Sequence, residues 1–369
     1  MHPSSGLITG PLRYLRRPFE ANVKAGDRVL VVTDTAQDAR VWQAIMTVLA
    51  DLEAEPTLAL FEPRPADYYD PPDVVAVAML KSDVNVLVAS TAMGHSPSAI
   101  AAMRAGAMMI QMDGHLTLEM FQRGAATADY LEIARMKHYV ACNVYGPSAS
   151  EVRVVSTHGT DITYGIAGRV RVPPLRSDDW NPYRAYRRTE EGMKNSPRHL
   201  CLFPGGEYNV APVEATANGI LVIDLTMHHL GRLSTAVELR VESGRIVDIQ
   251  GGADAWRLRR HLRDHGDDSA YMFPTEASVG LNKNARIVGD QREDKNIYGS
   301  MHFGLGTNSD VGGTVSSNLH MDGVILEPTL FVDGDKKLEL GEFLVPLDRY
   351  VDDRAAAFGA TTYRSDGSR

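Results

Sequence analysis

The order of apolar segments in the first 140 residues restricts the possible folds more than any other feature of this sequence. Short apolar runs of strand length occur at residues 27–35, 55–63, 82–90 and 108–112. Two of the intervening segments, residues 36–53 and 96–107, have apolar side chains at helical spacing. Strands that alternate with helices form an open, mostly parallel sheet covered by helices. We therefore predict an α/β domain over residues 1–140.

The chain becomes β-rich beyond residue 140. Residues 151–166 and 237–252 each contain two β-branched runs around a Gly-containing turn, and residues 329–340 have a similar pattern. Such patterns are typical of β-hairpins. We predict a β-rich, metal-binding domain over residues 141–369, so that the whole chain is α/β in the first half and α+β overall. The polar, Pro-containing residues 174–198 predict a long loop or lid, with a disordered connection as an equal alternative.

Net charge and the length of the apolar runs argue against two classes of partner. The chain has 47 acidic against 38 basic residues and a net charge of −9, which disfavours a general binder of nucleic-acid phosphates. The sequence has no apolar run near the length of about 18 residues that a membrane span needs, and its first residues lack an apolar signal core. We therefore expect no nucleic-acid partner, no membrane partner and a cytoplasmic protein.

Acidic and imidazole residues beside Gly, Pro or small residues are the best candidates for chemistry, since the common nucleotide-binding, serine-hydrolase and zinc-protease motifs are absent from the sequence. His320 and Asp322 stand at positions i and i+2, so on a strand both project to one face as a ligand pair would. A His hydrogen-bonded to an Asp on a sheet surface would look the same. Two imidazoles and three carboxylates are too many for one tetrahedral zinc and suit two ions with shared ligands. The candidates are Glu207, Glu276, His302, His320 and Asp322, with five unrelated polar residues as the alternative.

Four segments around these candidates resemble the metal-binding segments of the aminopeptidase T family of metallo-aminopeptidases. They read "FPGGE", "FPTEASVGLN", "YGSMHFGLGTN" and "SNLHMD". The resemblance implies two divalent ions, of zinc, cobalt or manganese, and a homo-oligomer. It implies that the ligands are Glu207, Glu276, His302, His320 and Asp322. The family also has a Tyr a few residues after the first His, and Ser309 stands near that place in this chain.

A second resemblance extends along nearly the whole chain. The length, "GHSPSAIAAMRAGAMMIQ", "TNSDVGG" and the terminal "HMD" are similar to the 2,5-dihydroxypyridine 5,6-dioxygenases, mononuclear iron(II) relatives of those peptidases. That resemblance implies one Fe(II) held by His320, Asp322 and a further His. The further His should stand in the segment that here contains Glu276, so the triad requires His302 to take its role.

The ligand set leads to the first functional prediction, because ligands determine the chemistry more directly than fold does. We predict a metal-dependent hydrolase of an amide or peptide-like bond, in which metal-activated hydroxide attacks and Glu207 or Glu276 acts as general base. The substrate would be a small molecule or a short peptide-like compound. His95, after a first-half strand, is the predicted substrate contact, with a turn or capping role as the alternative. The alternative functions are an Fe(II) ring-cleaving dioxygenase and a non-catalytic small-molecule binding protein.

Overall fold

The structure is a computed structural model that describes residues 13–114, 116–170, 184–185, 200–308 and 311–344. The predicted lid at residues 174–198 lies outside these residues, apart from a two-residue strand, and so does Ser309. The helices are α1 (Arg13–Glu20), α2 (Ala39–Asp51), α3 (Asp73–Met79), α4 (Pro97–Arg104), α5 (Tyr130–Tyr139), α6 (Ala253–His265) and α7 (Gln291–Asp294). Shorter helical turns are Glu119–Phe121, Gly124–Thr127, Val140–Tyr145 and Asp268–Tyr271.

The strands are numbered in chain order. They are β1 (Arg28–Asp34), β2 (Glu55–Phe61), β3 (Val84–Leu87), β4 (Met108–Gln111), β5 (Glu151–Val155), β6 (Asp161–Gly165), β7 (Arg184–Ala185), β8 (Leu200–Leu202), β9 (Glu207–Val210) and β10 (Asn218–Ile223). The remaining strands are β11 (Thr226–Met227), β12 (Gly231–Arg232), β13 (Val237–Glu242), β14 (Arg245–Gln250), β15 (Glu276–Gly280), β16 (Met301–Gly306), β17 (His320–Ile325), β18 (Thr329–Val332), β19 (Asp335–Glu339) and β20 (Glu342–Phe343).

The first sheet confirms the predicted α/β architecture. Its order is β2-β1-β3-β4-β8-β7, and the pairs from β2 to β8 are parallel. The helix starts have good caps: the Asp38 side chain accepts a hydrogen bond from Arg40 N–H, and Ser96 accepts one from Ala99 N–H ahead of Pro97. Strands β7 and β8 come from beyond residue 140, so the sheet continues across the domain boundary predicted there.

Two antiparallel sheets contain the other 14 strands of the described residues. The second sheet has the order β14-β13-β10-β6-β5-β18-β19-β20, and the third has the order β12-β11-β17-β16-β15-β9. The three predicted hairpins are β5–β6, β13–β14 and β18–β19, and all three are confirmed. Helix α6, which follows β14, was not predicted from the sequence.

One apolar core joins the three sheets. It contains Val31 of β1, Ile162 of β6 and Phe303 of β16, and a smaller core that includes Val32 lies against the first sheet. Among the described helices, none is both long enough and apolar enough to cross a lipid bilayer. The third sheet is therefore fixed through packing against both of its neighbours, and it carries the predicted ligands.

Candidate metal centre

The five predicted metal ligands lie on four adjacent strands of the third sheet. Glu207 begins β9, Glu276 begins β15, His302 lies in β16, and His320 and Asp322 both lie in β17. The register turns all five toward one face, because cross-strand partners and residues two apart on a strand share a face. Each side chain is at most 8% exposed. We call these five residues the candidate centre.

Small residues opposite the candidates leave room for them. The pairs are Glu207 with Gly280, His302 with Ser278, His320 with Gly306, and Gly304 with both Glu276 and Asp322. A Cβ atom on Gly304 would lie 2.8 Å from Cε1 of His320 and 3.0 Å from Cβ of Glu276. Glycine at position 304 is therefore required for the side chains to converge.

The candidate ligand atoms form two overlapping sets that share Glu276. Nε2 of His302 lies 3.8 Å from Oε2 of Glu207 and 3.4 Å from Oε1 of Glu276. Nε2 of His320 lies 3.7 Å from Oε2 of Glu276 and 2.9 Å from Oδ1 of Asp322. Two ligands that are each about 2.1 Å from one ion lie roughly 3.0–3.5 Å apart, so these separations are close to those of a metal site.

The triad of His302, His320 and Asp322, which the dioxygenase resemblance required, does not form a set of this kind. The described residues instead group Glu276 with His320 and Asp322, and place His302 with Glu207 and Glu276. The reason is the register: His320 pairs with Gly306, four residues along β16 from His302. His302 therefore lies toward β9, on the far side of Glu276.

Buried polar atoms without partners indicate whether the five side chains of the candidate centre fit a cation. Oε2 of Glu207 and both ring nitrogens of His302 are buried and have no hydrogen-bond partner among the described residues. Burying such groups without partners costs free energy, and a bound divalent ion would remove that cost. Carboxylate and imidazole donors suit divalent cations of the hard to borderline class. The residues therefore fit a metal ion.

Hydrogen bonds and charges orient the individual ligands. The His320 ring donates from Nδ1 to the carbonyl oxygen of Thr307 at 2.8 Å, which turns Nε2 toward the centre. Burial lowers the pKa of His320, but the carboxylate of Asp322 raises it to about 9. Burial raises the pKa of Glu276, but the nearby imidazoles of His302 and His320 bring it below its usual value.

A buried lysine, Lys295, lies over the candidate centre, and no pattern in the sequence predicts it. Nζ of Lys295, directly after α7, lies 3.3 Å from Oδ2 of Asp322 and 3.6 Å from Oε2 of Glu207. Gln291 in α7 donates from Nε2 to the same oxygen of Asp322 at 2.6 Å. Burial lowers the pKa of Lys295, but the carboxylates of Glu207 and Asp322 raise it above its usual value. Lys295 is therefore an ammonium ion.

The first half of the chain contributes aromatic rings to the centre. His95, the predicted substrate contact, stacks on His320 with ring centroids 4.9 Å apart. Tyr68, which the sequence analysis did not identify, has its ring 4.9 Å from that of His95 and 5.8 Å from that of His320. His95 thus lies beside the candidate centre, and its role in substrate binding stays a prediction.

Comparisons with known proteins agree with both sequence resemblances. The family model described as NicX, 2,5-dihydroxypyridine 5,6-dioxygenase, matches residues 13–345. The 2,5-dihydroxypyridine 5,6-dioxygenase of Pseudomonas putida KT2440 is 25% identical over 170 residues, which are 43% of this chain and 48% of that protein. The match thus spans about half the length of this curated relative.

Two solved structures share the fold. The 2,5-dihydroxypyridine dioxygenase from Pseudomonas putida KT2440 has a TM-score of 0.70 at 18% identity, with 92% of this chain and 98% of that chain covered. Wild-type AmpT from Thermus thermophilus has a TM-score of 0.62 at 14% identity, with 92% of this chain and 100% of that chain covered. At these identities the likeness concerns the fold alone.

Proposed function

The chain belongs to the NicX family of 2,5-dihydroxypyridine 5,6-dioxygenases, and we propose that it is a mononuclear metal enzyme that cleaves a hydroxylated nitrogen heterocycle with dioxygen. Family membership favours this reaction, which the sequence analysis gave as the alternative, over the predicted amide hydrolase. In the proposed reaction one ring bond breaks and both oxygen atoms of O₂ enter the product. 2,5-Dihydroxypyridine is the first substrate to test, since it is the compound in the name of the relative.

The proposal of a single ion rests on the buried ammonium group of Lys295. Three buried carboxylates, those of Glu207, Glu276 and Asp322, face the centre together with this one buried ammonium. A metal-ligand imidazole is neutral, so with His320 bound to the ion and His302 neutral, two negative charges are left, and one divalent cation balances them. Two divalent cations beside Lys295 would leave an uncompensated buried positive charge, which is costly.

Glu276, His320 and Asp322 are the proposed ligands of that ion. They form one of the two sets in the centre, and their donors are two carboxylates and one imidazole. This oxygen-rich set departs from the two-His, one-carboxylate triad, and it suits Fe(II) or Mn(II). The ion would supply the one-electron chemistry through which dioxygen reacts with an electron-rich ring.

The remaining residues of the centre would bind and orient the substrate. The rings of Tyr68 and His95 stand beside His320 and would give a planar substrate flat walls. Oε2 of Glu207 is buried without a hydrogen-bond partner among the described residues, so it could accept the proton of a substrate hydroxyl. Lys295 beside Glu207 would stabilise the resulting anionic ring. A cleft whose lining includes Glu207, Arg292 and Lys295 gives access to this side.

A two-ion amide hydrolase remains the second candidate because of one observation. The two sets of ligand atoms share Glu276, as a carboxylate bridging two ions would. The two proposals differ in the effect of His302. In a mononuclear site His302→Ala keeps the metal and His320→Ala loses it, whereas in a two-ion site each substitution removes about one equivalent.

Oxygen uptake tests the proposed function. Protein loaded with Fe(II) under anaerobic conditions is mixed with 2,5-dihydroxypyridine and oxygen, and both oxygen and the ring absorbance are followed. The proposal predicts one O₂ consumed per ring cleaved, with loss of the reaction in Asp322→Asn. Release of amines from short peptides or amides by zinc- or manganese-loaded protein, without oxygen uptake on any hydroxylated pyridine, would instead support the hydrolase.

A further inference from the structure

A second group of potential ligands lies outside the candidate centre, where the two halves of the chain meet. Oδ2 of Asp67 lies 2.6 Å from Nε2 of His228 and 2.9 Å from Nε2 of His229. Asp67 is buried, and its other oxygen accepts a hydrogen bond from Ala92 N–H at 2.6 Å. We call Asp67, His228 and His229 the Asp67 cluster. One carboxylate and two imidazoles are a common donor set for borderline divalent cations.

The backbone holds two consecutive imidazoles on the same carboxylate. His228 and His229 form the turn between β11 and β12, and their rings stack with centroids 4.8 Å apart and an angle of 12°. His229 has a φ of +61°, a left-handed conformation that Gly or Asn adopts at lower cost. Side chains of neighbouring residues normally diverge, so this conformation is what brings both rings to Asp67.

The short contacts within the Asp67 cluster are ion-pair contacts rather than well-aligned hydrogen bonds. Despite its distances to the two rings, Oδ2 of Asp67 lies outside hydrogen-bonding geometry with both and has no other hydrogen-bond partner among the described residues. Nδ1 of His228 is also buried without such a partner. The imidazole side chains of His228 and His229 are 13% and 24% exposed, so an ion can reach the cluster from solvent.

From this geometry we propose that the Asp67 cluster is a second metal site, for a borderline divalent cation such as Zn²⁺. The ion would join the first half of the chain, through Asp67, to the β11–β12 turn of the third sheet. The turn is close to the candidate centre, because His228 N–H donates to the carbonyl oxygen of Asp322 at 2.9 Å. Tyr68, which follows Asp67, has its ring against both His228 and His320. A bound ion would therefore fix Tyr68 beside the centre.

Metal titration of a variant in which both ligand sets of the candidate centre are broken tests this site. The His302→Ala, His320→Ala double variant, which loses one imidazole from each set, is stripped with chelator and titrated with Zn²⁺ by calorimetry, and the bound metal is counted by elemental analysis. One equivalent is expected, together with a higher Tm on addition of Zn²⁺. Adding Asp67→Asn should weaken this binding by at least the roughly tenfold that loss of an outer-shell partner already costs, because a charged ligand is lost.

His158→Ala is the matched control. His158 makes another short imidazole–carboxylate contact, 2.5 Å from Nδ1 to Oδ2 of Asp224, but with a single imidazole. The control should leave Zn²⁺ binding unchanged. Absence of bound Zn²⁺ in the double variant, or binding that survives Asp67→Asn, would overturn the proposal.

If the double variant does not fold, a variant that keeps all five residues of the candidate centre provides the test. His229→Ala in the otherwise unchanged chain removes a partly exposed side chain. It should lose one equivalent of Zn²⁺ and keep the ion of the candidate centre. An unchanged metal content in His229→Ala would count against the site, whatever reaction the candidate centre catalyses.

Discussion

Lys295 is the residue that most directly sets the charge of the candidate centre. Lys295→Met keeps a side chain of similar length and removes the ammonium, so that three carboxylates face one ion. We predict that the variant binds about one additional divalent ion, because without the ammonium two ions exceed the three carboxylates by only one positive charge, which one bound hydroxide balances. The measurement is elemental analysis after dialysis against Mn²⁺, in a His229→Ala background that removes the Asp67 cluster.

Lys283→Met is the control for that substitution. Lys283 is half exposed and pairs with Glu132 at 3.0 Å rather than with a residue of the candidate centre. Its removal should leave the metal content unchanged. If Lys295→Met also binds a single ion, charge balance does not determine the number of ions in this centre.

Gly304 is the residue that leaves space between the ligands. Gly304→Ala would add a Cβ atom 2.8 Å from Cε1 of His320 and 3.0 Å from Cβ of Glu276. We predict a loss of about 1–3 kcal/mol in the free energy of unfolding from overpacking, together with weaker metal binding. The two effects are measured by denaturant unfolding and by metal titration.

Gly165→Ala provides a comparison in the second sheet. The added Cβ atom would contact Oγ1 of Thr216 at 3.2 Å, in a sheet that carries none of the predicted ligands. A smaller loss of stability and unchanged metal binding are expected there. Equal metal affinity in Gly304→Ala and the unsubstituted protein would show that the side chains do not converge as closely as the structure has them.

Single residues differ in how well the sequence predicts them. The spacing of His320 and Asp322 predicts a shared face, and Nε2 of His320 is 2.9 Å from Oδ1 of Asp322. Lys295 gives no such signal, because it ends a run of four charged residues that by composition would be solvent-exposed. The fold buries all four of them, Arg292, Glu293, Asp294 and Lys295. This burial follows from the packing of α7 against both the third sheet and the first half of the chain.

Helix α7 and the residue after it form the cover of the candidate centre, and Glu293 attaches that cover to the first half of the chain. Oε1 of Glu293 accepts hydrogen bonds from Ala125 N–H at 2.8 Å and Arg286 N–H at 3.2 Å. Oε2 is buried without a partner among the described residues. Burial raises the pKa of Glu293 to about 7.

The raised pKa of Glu293 predicts how stability depends on pH. Glu293 ionises near pH 4.5 in the unfolded chain and near pH 7 in the folded protein, so the folded state binds more protons between these values and loses stability as the pH rises through them. Glu293→Gln does not titrate and keeps the acceptor oxygen. We predict that it gains on the order of 3 kcal/mol of unfolding free energy, relative to the unsubstituted protein, between pH 4.5 and pH 8.

Denaturant unfolding at the two pH values measures this difference. Glu132→Gln, a substitution at a half-exposed carboxylate, should show little change in the same comparison. An equal stability difference between Glu293→Gln and the unsubstituted protein at both pH values would mean that Glu293 ionises normally in the folded state.

Local sequence predicts the individual elements better than their assembly. Hairpins such as β13–β14 follow from their turn residues and β-branched runs, and α2 follows from its apolar spacing and its Asp38 cap. Strand β8 is only three residues long, and its pairing with β4 depends on contacts far away in the chain. No local pattern near residue 200 could predict that pairing.

At the scale of the whole molecule, the candidate centre depends on both halves of the chain. The third sheet supplies the predicted ligands, whereas Tyr68 and His95 come from loops of the first sheet. The sequence predicted the ligand residues and His95 from motifs and resemblance, but it could not predict their relative positions. In the proposed function, the number of ions depends on those positions and on the buried charge of Lys295.

Oxygen consumption as a function of iron content is the most direct test of a mononuclear dioxygenase. His229→Ala protein, which lacks the complete Asp67 cluster, is titrated anaerobically with Fe(II), and the initial rate of oxygen uptake with 2,5-dihydroxypyridine is measured at each iron content. We predict a linear rise that reaches a plateau at one equivalent of iron per chain. A plateau at two equivalents, or no oxygen uptake at any iron content, would contradict the proposal.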